Sequence, residues 1–306
     1  MTEPHLHLAV LGSPISHSRS PRIHAAAYET LGLPWRYEAV ECREDALEAL
    51  LDSLDASWRG LSVTMPLKAE AHRLSTVLDP IAEESGVVNT LLRVTGRGSK
   101  PAWAGFNTDV AGLAAAIEEA GLDATRTIVL GAGATAVSAV LAARSLGARS
   151  ATILARRPEA ARALAERFDG TSAHGTSAEG SAAPLRCAAA ALGDPRAQSH
   201  VGGTASLDAI ADATLVVSTL PGPAAHGLEL PEELLRAPLF DVAYDPWPSP
   251  LAERWRAAGG VAHSGIAMLV HQALMQLRIF VNGDPSLPVE REAEAFAAMR
   301  AAGMGR

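Results

Sequence analysis

Short apolar runs alternate with longer amphipathic stretches along most of the chain. Apolar or alternating runs of about four to eight residues predict strands, and apolar positions three or four residues apart predict helices. The predicted strands lie at 6–11, 35–39, 61–65, 87–94, 102–106, 127–130, 150–157, 213–221, 238–246 and 259–265. The predicted helices cover 20–31, 45–54, 108–120, 158–168, 266–281 and 289–302, with two more that follow Pro66 and the glycines at 131–133.

Several residues mark the ends of these elements. Ser20 is predicted to cap the first helix, with Pro21 as its first residue and Gly32 as its terminator. Thr108 is predicted to cap the helix that follows it. Residues 170–206 are rich in alanine, glycine and serine, and their pattern does not clearly predict a helix or a strand.

The alternation of strands and helices predicts an α/β protein with mostly parallel sheets. The first series ends near residue 107 and a second begins near 125, so we expect two lobes. The N-terminal lobe (1–107) is predicted to be an α/β substrate domain. Residues 108–264 are predicted to form a Rossmann-like, doubly wound dinucleotide-binding domain, and the C-terminal helices (265–306) are expected to return to the first lobe.

Composition narrows the possible functions. The 306 residues carry a formal net charge of -8, and no run rich in lysine and arginine marks a nucleic-acid or membrane partner. The two cysteines form no metal or redox motif, so they predict no metal site. No metal-ligand spacing is found among His17, His24, His72, His263 and His271, and we expect no bound metal. With no signal-peptide pattern or membrane-length apolar run, we expect a cytoplasmic protein. A monomer and a homodimer would have the same pattern.

A glycine turn follows the apolar strand at 127–130 and opens a helix. Its sequence fits the GxGxxA pattern, in which the turn and the helix N-terminus present backbone amides to a pyrophosphate. We therefore predict a bound dinucleotide; the alternative is a glycine turn selected for close helix–strand packing. The turn residues are Gly131, Ala132, Gly133, Ala134, Thr135 and Ala136.

Two arginines indicate which dinucleotide binds. An NAD site usually has an acidic residue at the end of the second strand, where it binds the ribose 2′-hydroxyl. Here that strand runs into Arg156 and Arg157. Guanidinium groups suit a 2′-phosphate, so this pair favours NADP (NADPH); the alternative is an ordinary solvated pair.

Seven segments occur in the order and at the spacing of one family. They are GSPISHSRSP, VTMPLK, VVNTL, GFNTDVAGL, GAGATA, DVAYDP and GIAMLVHQA. On these segments the chain resembles the shikimate dehydrogenase family over nearly its whole length, apart from about residues 170–206. The resemblance implies an NADP-dependent oxidoreductase that reversibly reduces 3-dehydroshikimate, a small-molecule substrate, to shikimate in aromatic amino acid biosynthesis.

The resemblance also implies roles for individual residues. Lys68 and Asp109 would be the catalytic pair. The implied substrate-binding residues are Ser16 and Ser18 for the carboxylate, Thr64 and Tyr244 nearby, and Asn89 and Gln272 for the ring hydroxyls. Beyond the glycine turn and the arginines, the implied cofactor-binding residues are Thr219, Val242, Gly265 and Met268. The chain departs from the family pattern at Ala25, Ser62, the GAGATA turn, Arg157 and the STLPGP loop at 218–223.

The position of Lys68 supports a chemical role. Lys68 is predicted to lie in the first turn of the helix opened by Pro66, where the positive end of the helix dipole disfavours a cation. A local acidic partner would offset this, and Asp109 is the candidate. Hydride transfer from a secondary alcohol also releases a proton that a lysine can carry. The alternative is a solvated lysine and an ordinary first-turn carboxylate.

The sequence is also compatible with two other functions. One is a quinate/shikimate dehydrogenase that uses NAD or NADP, although the resemblance associates the serine at position 18 with shikimate. The other is a non-catalytic, dinucleotide-sensing regulatory protein with the same fold. A sensor would be expected to lose Lys68 or Asp109, and both are present.

Overall fold

A computed structural model describes residues 5–95, 101–172, 183–192, 210–225 and 228–305. The chain divides into two compact units. The first unit contains Met1–Gly112 and Leu269–Arg306, and the second contains Leu113–Met268.

Twelve strands and ten α-helices are found in the described residues. The strands are β1 (His7–Gly12), β2 (Arg36–Glu41), β3 (Trp58–Val63), β4 (Val77–Leu78), β5 (Thr90–Val94), β6 (Ala102–Phe106), β7 (Arg126–Leu130), β8 (Ser150–Ala155), β9 (Arg186–Ala191), β10 (Leu215–Ser218), β11 (Leu239–Asp241) and β12 (Ala262–Ser264). The helices are α1 (Ser20–Leu31), α2 (Leu47–Ser53), α3 (Lys68–Leu74), α4 (Pro80–Ser85), α5 (Asp109–Glu119), α6 (Ala134–Ser145), α7 (Pro158–Phe168), α8 (Pro250–Ala257), α9 (Ile266–Asn282) and α10 (Glu292–Met304).

The first unit is built on a mixed sheet of order β2-β1-β3-β5-β6-β4. Strand β5 runs antiparallel to both β3 and β6, whereas β1 pairs in parallel with β2 and β3. Successive side chains of a strand point to opposite faces, so β1 contributes to two cores. Leu8 and Val10 pack with residues of α1, α9 and α10, and Ala9 and Leu11 pack with residues of α2 and α3.

The second unit is built on a parallel sheet of order β12-β11-β10-β7-β8-β9. Counted from β7 as the first strand, this is the 3-2-1-4-5-6 order of doubly wound dinucleotide-binding sheets. The order reverses beside β7, between β8 and β10. In such sheets the ligand binds at this switch point, beyond the carboxyl ends of the strands.

Two predicted helix starts are wrong. Helix α3 begins at Lys68 and not at Pro66, because the Leu67 amide donates to the Thr64 carbonyl (2.8 Å) and closes a turn before the helix. Ser20 is the first residue of α1 and not its cap, which is Arg19. Gly32 ends α1 in a left-handed conformation, as predicted.

Two helices that the hydrophobic pattern did not predict, α4 and α8, begin at capping residues. Asp79 caps α4 by accepting from the Ala82 amide, and Ser249 caps α8 by accepting from the Ala252 amide. Each cap is followed by proline, which is the usual signature of a helix start. Strand β9 lies within the stretch 170–206, of which residues 173–182 and 193–206 lie outside the described residues. None of the described helices is long and apolar enough to cross a membrane.

Candidate functional site

Lys68 and Asp109 form an ion pair in the first unit. Each is the first residue of a helix, α3 and α5 respectively. The Lys68 Nζ atom lies 2.5 Å from Asp109 Oδ2, and the two side chains expose 12% and 8% of their surface. The Lys68 carbonyl accepts a hydrogen bond from the Val88 amide, which ties the start of α3 to the segment before β5. The Asn89 amide in turn donates to the Phe106 carbonyl (3.0 Å), shortly before α5, and these two contacts bring the first residues of α3 and α5 together.

Asn89 holds the other oxygen of the Asp109 carboxylate. Its Nδ2 atom donates to Asp109 Oδ1 (2.8 Å) and to Thr108 Oγ1 (2.9 Å). Its Oδ1 atom accepts from the Thr108 backbone amide (2.9 Å). Asn89 is 3% exposed, so these bonds avoid the cost of about 1–3 kcal/mol for a buried unpaired polar group. Lys68 and Asn89 therefore satisfy both carboxylate oxygens.

Gln272 completes this cluster from helix α9. Its Oε1 atom lies 3.4 Å from Asn89 Nδ2 and from Thr108 Oγ1, and its Nε2 atom donates to the Leu269 carbonyl. Gly112 makes the approach possible, because a Cβ atom there would lie 2.7 Å from both the Cβ and the backbone nitrogen of Gln272. The glycine thus lets α5 and α9 pack closely at the site.

Two residues of this cluster were not predicted as site residues. Thr108 contacts Asn89 and Gln272, and its predicted role as the cap of α5 stays a prediction. Asn107 accepts from the Asp109 amide through Oδ1 (3.1 Å) and so supports the start of α5. The sequence signal was the Asn-Thr-Asp triplet, whose short polar side chains bond readily to nearby backbone groups.

The serine loop and Thr64 follow neighbouring parallel strands of the first sheet. The Thr64 amide donates to the Leu11 carbonyl (2.8 Å), and the Ser13 amide donates to the Met65 carbonyl (3.0 Å), so the loops after β1 and β3 lie side by side. Ser16 is exposed, and Ser18 is half-buried with its Oγ accepting from the Ser20 amide. These hydroxyls could bind a carboxylate.

The glycine turn of the second unit has the geometry expected for a dinucleotide. Gly131 follows β7 with φ +115°, and a Cβ atom there would collide with Thr219 Oγ1. Gly133 precedes α6, and a Cβ atom there would have no neighbour within 4 Å. The N-terminus of a twelve-residue helix therefore faces open space at the switch point of the sheet. The residues present fit a pyrophosphate.

Arg156 and Arg157 follow β8, next to this turn in the sheet order. Both are exposed, and neither forms an ion pair or a hydrogen bond through its side chain with any residue that the structure describes. Arg157 occupies the position before α7, where its backbone is extended. Two unpaired guanidinium groups at the end of the second strand fit a 2′-phosphate.

The remaining predicted cofactor residues follow the next strands. Thr219 comes after β10, where its Oγ1 donates to the Leu130 carbonyl (2.9 Å). Val242 comes after β11, and its amide donates to the Ser218 carbonyl. Gly265 comes after β12 and packs so tightly on Val242 that a Cβ atom would collide with its carbonyl. Met268, in α9, is buried, and Tyr244, which also belongs to the second unit, is half-buried.

Together these features define a class of protein: a dinucleotide-binding α/β oxidoreductase, with the cofactor turn in one unit and the lysine–carboxylate pair in the other. The sequence profile of the shikimate dehydrogenase substrate binding domain matches residues 10–91. A shikimate dehydrogenase (NADP(+)) from an Anaeromyxobacter strain is 34% identical over 274 residues, which are 89% of each chain. The chain belongs to the shikimate dehydrogenase family, as the seven segments predicted.

Two proteins of Thermus thermophilus extend the comparison. A curated shikimate dehydrogenase (NADP(+)) is 39% identical over 164 residues, and this chain spans 60% of the length of that relative. A crystal structure of a shikimate 5-dehydrogenase in complex with NADP(H) and shikimate superposes with a TM-score of 0.74 at 30% identity, covering 97% of this chain and 99% of that one. The predicted α/β class with a substrate domain and a Rossmann-like domain is confirmed.

Proposed function

We propose that the protein catalyses the reversible NADP-dependent reduction of 3-dehydroshikimate to shikimate, a step of aromatic amino acid biosynthesis. The observation that carries this proposal is the shielded pair of Lys68 and Asp109 in a chain of this family. A non-catalytic sensor would have no need to keep two charges paired at so low an exposure, since burying them costs free energy. The relatives named above are NADP enzymes, in agreement with the cofactor predicted from the arginines.

The second unit is proposed to hold NADP. When bound, the nicotinamide supplies or accepts the hydride. The turn residues 131–136 would contact the pyrophosphate, and Arg156 and Arg157 would bind the 2′-phosphate. Thr219, Val242, Gly265 and Met268 would lie near the nicotinamide. These assignments are supported by the open space at Gly133 and the unpaired arginines.

The first unit is proposed to hold the substrate and move the proton. Ser16 and Ser18 would bind the carboxylate, with Thr64 nearby, and Asn89 and Gln272 would bind ring hydroxyls. Tyr244 belongs to the second unit and stays a substrate-binding residue predicted from the family resemblance. During reduction the Lys68 ammonium would donate a proton to the oxygen that develops negative charge, and during oxidation Lys68 would take that proton back. Asp109 would orient the ammonium and would be held in turn by Asn89.

One assay tests the proposal directly. Purified protein is mixed with shikimate and NADP, and NADPH formation is followed by its absorbance; the same assay is run with quinate and with NAD. We expect the highest kcat/KM for shikimate with NADP. No turnover by a protein that still binds NADP would favour the sensor function, and comparable values for quinate would favour a quinate/shikimate dehydrogenase.

Other properties stay predictions of the sequence. These are the absence of nucleic-acid and membrane partners, the cytoplasmic location, and a monomeric or homodimeric state. The negative net charge supports the predicted absence of nucleic-acid and membrane partners. Sedimentation at several protein concentrations would distinguish a monomer from a homodimer.

A further inference from the structure

A chain of buried hydrogen bonds leads from His24 to the Asp109 carboxylate. His24 Nε2 lies 3.2 Å from Gln276 Oε1, and Gln276 Nε2 donates to Thr90 Oγ1 (3.0 Å). Thr90 Oγ1 donates to Asn89 Oδ1 (2.9 Å), and Asn89 Nδ2 donates to Asp109 Oδ1 (2.8 Å). All five residues expose 5% of their surface or less, and they belong to the first unit.

One backbone group determines which atoms donate and which accept along this hydrogen-bond chain. The Thr108 amide can act as a donor and not as an acceptor, so the Asn89 atom that it contacts must be the carbonyl oxygen. The Thr90 hydroxyl must then donate to that oxygen, which leaves its lone pairs to accept from the Gln276 amide nitrogen. A reversed Thr90 hydroxyl would leave two unprotonated oxygens facing each other at 2.9 Å.

The same reasoning assigns donor and acceptor at the His24 end of the hydrogen-bond chain. Because Gln276 uses its nitrogen for Thr90, its oxygen must accept from a protonated His24 Nε2 atom. The other ring nitrogen, Nδ1, is then an acceptor for the Tyr28 hydroxyl, which lies 3.4 Å away. The imidazole also stacks on Tyr37, with 4.1 Å between ring centroids and an interplanar angle of 4°. Complete burial lowers the pKa of His24 to about 4, which keeps this neutral tautomer at physiological pH.

We propose that Thr90 and Gln276 are positioning residues of the active site, which orient the Asn89 amide so that it holds Asp109 with Oδ2 facing Lys68. Without the donor from Thr90, the Asn89 oxygen loses one of the contacts that fix its rotation. The amide could then turn its oxygen toward Asp109, where the two acceptors would repel each other. Among the described residues no hydrogen bond joins the side chain of Thr90 or Gln276 to Lys68 or Asp109, so the proposed effect on the pair passes through Asn89.

This inference rests on the proposed dehydrogenase activity and is tested by a matched pair of variants. Thr90→Val keeps the size of the side chain and removes the hydroxyl, whereas Thr90→Ser keeps the hydroxyl. We expect Thr90→Val to lower kcat about tenfold, the loss that accompanies about one good hydrogen bond. Its KM for NADP should stay unchanged, its KM for shikimate should change less than kcat, and Thr90→Ser should restore most of the rate.

Two further variants separate positioning from stability. Tyr37→Phe removes another buried hydrogen bond of the same core, from the Tyr37 hydroxyl to Ser62 Oγ (2.6 Å), and keeps the stacked ring. We expect Tyr37→Phe to lower Tm as Thr90→Val does, with kcat unchanged. Gln276→Met should lower kcat, and combining it with Thr90→Val should add little, because both act through Asn89.

The outcomes distinguish this inference from the proposed function. A wild-type protein without turnover contradicts the proposed function, and crystal structures of wild type and Thr90→Val then decide the inference: an unchanged contact between Asn89 Nδ2 and Asp109 Oδ1 overturns it, and a rotated amide supports it. In an active protein, Thr90→Val with wild-type kcat overturns the inference. A loss of kcat in Tyr37→Phe as large as that in Thr90→Val also overturns the inference.

Discussion

Lys68 and Asp109 are 41 residues apart in the sequence, and their charged atoms lie 2.5 Å apart. The pair is largely shielded from water, so neither charge is screened as an exposed ion pair would be. Removing one partner leaves the other as a poorly solvated charge without its counterion. Loss of either residue is therefore expected to affect stability as well as the proposed proton transfer.

Lys68→Ala should lower kcat by about 10²–10⁴-fold, the range associated with a positioned acid–base group. The KM for shikimate should change much less, because Ser16, Ser18 and Thr64 would still hold the carboxylate. Steady-state kinetics with shikimate and NADP measure both values. Arg73→Ala, which removes an exposed cation from the same helix, is the control and should keep normal kinetics. Near-normal kcat in Lys68→Ala would show that Lys68 does not transfer the proton.

Asp109→Asn should also lower kcat severely, because the Lys68 ammonium loses the charge that orients it. Combined with Lys68→Ala, the effect should be far smaller than the product of the single effects, since the two residues act as one unit. A double-mutant cycle on kcat measures this coupling. Multiplicative losses would show that Lys68 and Asp109 act independently.

Arg156→Ala should raise the KM for NADP far more than the KM for NAD, because the 2′-phosphate is present on NADP alone. A loss of about 1.5–3 kcal/mol is typical of a hydrogen bond to a charged group. Arg149→Ala is a matched control: this exposed arginine precedes β8, at the end of the strand opposite to Arg156. Equal losses with both cofactors would show that Arg156 does not contact the phosphate.

The two glycines of the cofactor turn should respond differently to alanine. Gly133→Ala has free space in the structure, so Tm should hardly change, but its methyl group would occupy the approach of the pyrophosphate and raise the Kd for NADP. Gly131→Ala would force a non-glycine residue to φ +115° against Thr219, at a cost of at least about 1–3 kcal/mol. Thermal unfolding and NADP titration distinguish the two. Normal NADP affinity in Gly133→Ala would argue against a pyrophosphate at this turn.

The sequence predicted those parts of the molecule that depend on local patterns. The glycine turn between β7 and α6 and the strands β5 and β6 lie where the pattern placed them. Strand β9 gave a weaker signal because four of its six residues are alanine, which has low strand propensity. The start of α3 was misplaced because proline at a helix start and proline in a preceding turn have similar local sequences.

The site could be predicted only in part. Lys68 and Asp109 were paired through the family resemblance and a dipole argument, since nothing local to either residue shows that they meet. The roles of Thr108 and Gln276 depend on contacts formed in the folded chain; Gln276 meets His24 across 252 residues of sequence. No period or motif in the sequence signals such a contact, because the hydrogen bond between the two side chains forms only when the fold brings them together.

The buried imidazole of His24 should make the first unit less stable in acid. Burial lowers its pKa from 6.5 to about 4, so between these values the unfolded chain binds a proton that the folded chain does not. The free energy of unfolding should therefore fall as pH drops from about 6.5 to about 4, by about 3 kcal/mol in total. Tyr28 and Tyr37, the titratable groups that contact the ring, stay neutral in this range because burial raises the pKa of both.

Denaturant unfolding at a series of pH values checks this expectation. His24→Phe keeps an aromatic ring beside Tyr37 and removes the titrating group, so its stability should depend less steeply on pH between about 6.5 and 4 than that of the wild type. Tyr37→Phe is destabilised but retains His24, so its curve should run parallel to the wild-type curve. If the His24→Phe curve also ran parallel to it, another group would be responsible for the acid sensitivity. Such a result would mean that His24 is not held neutral by its burial.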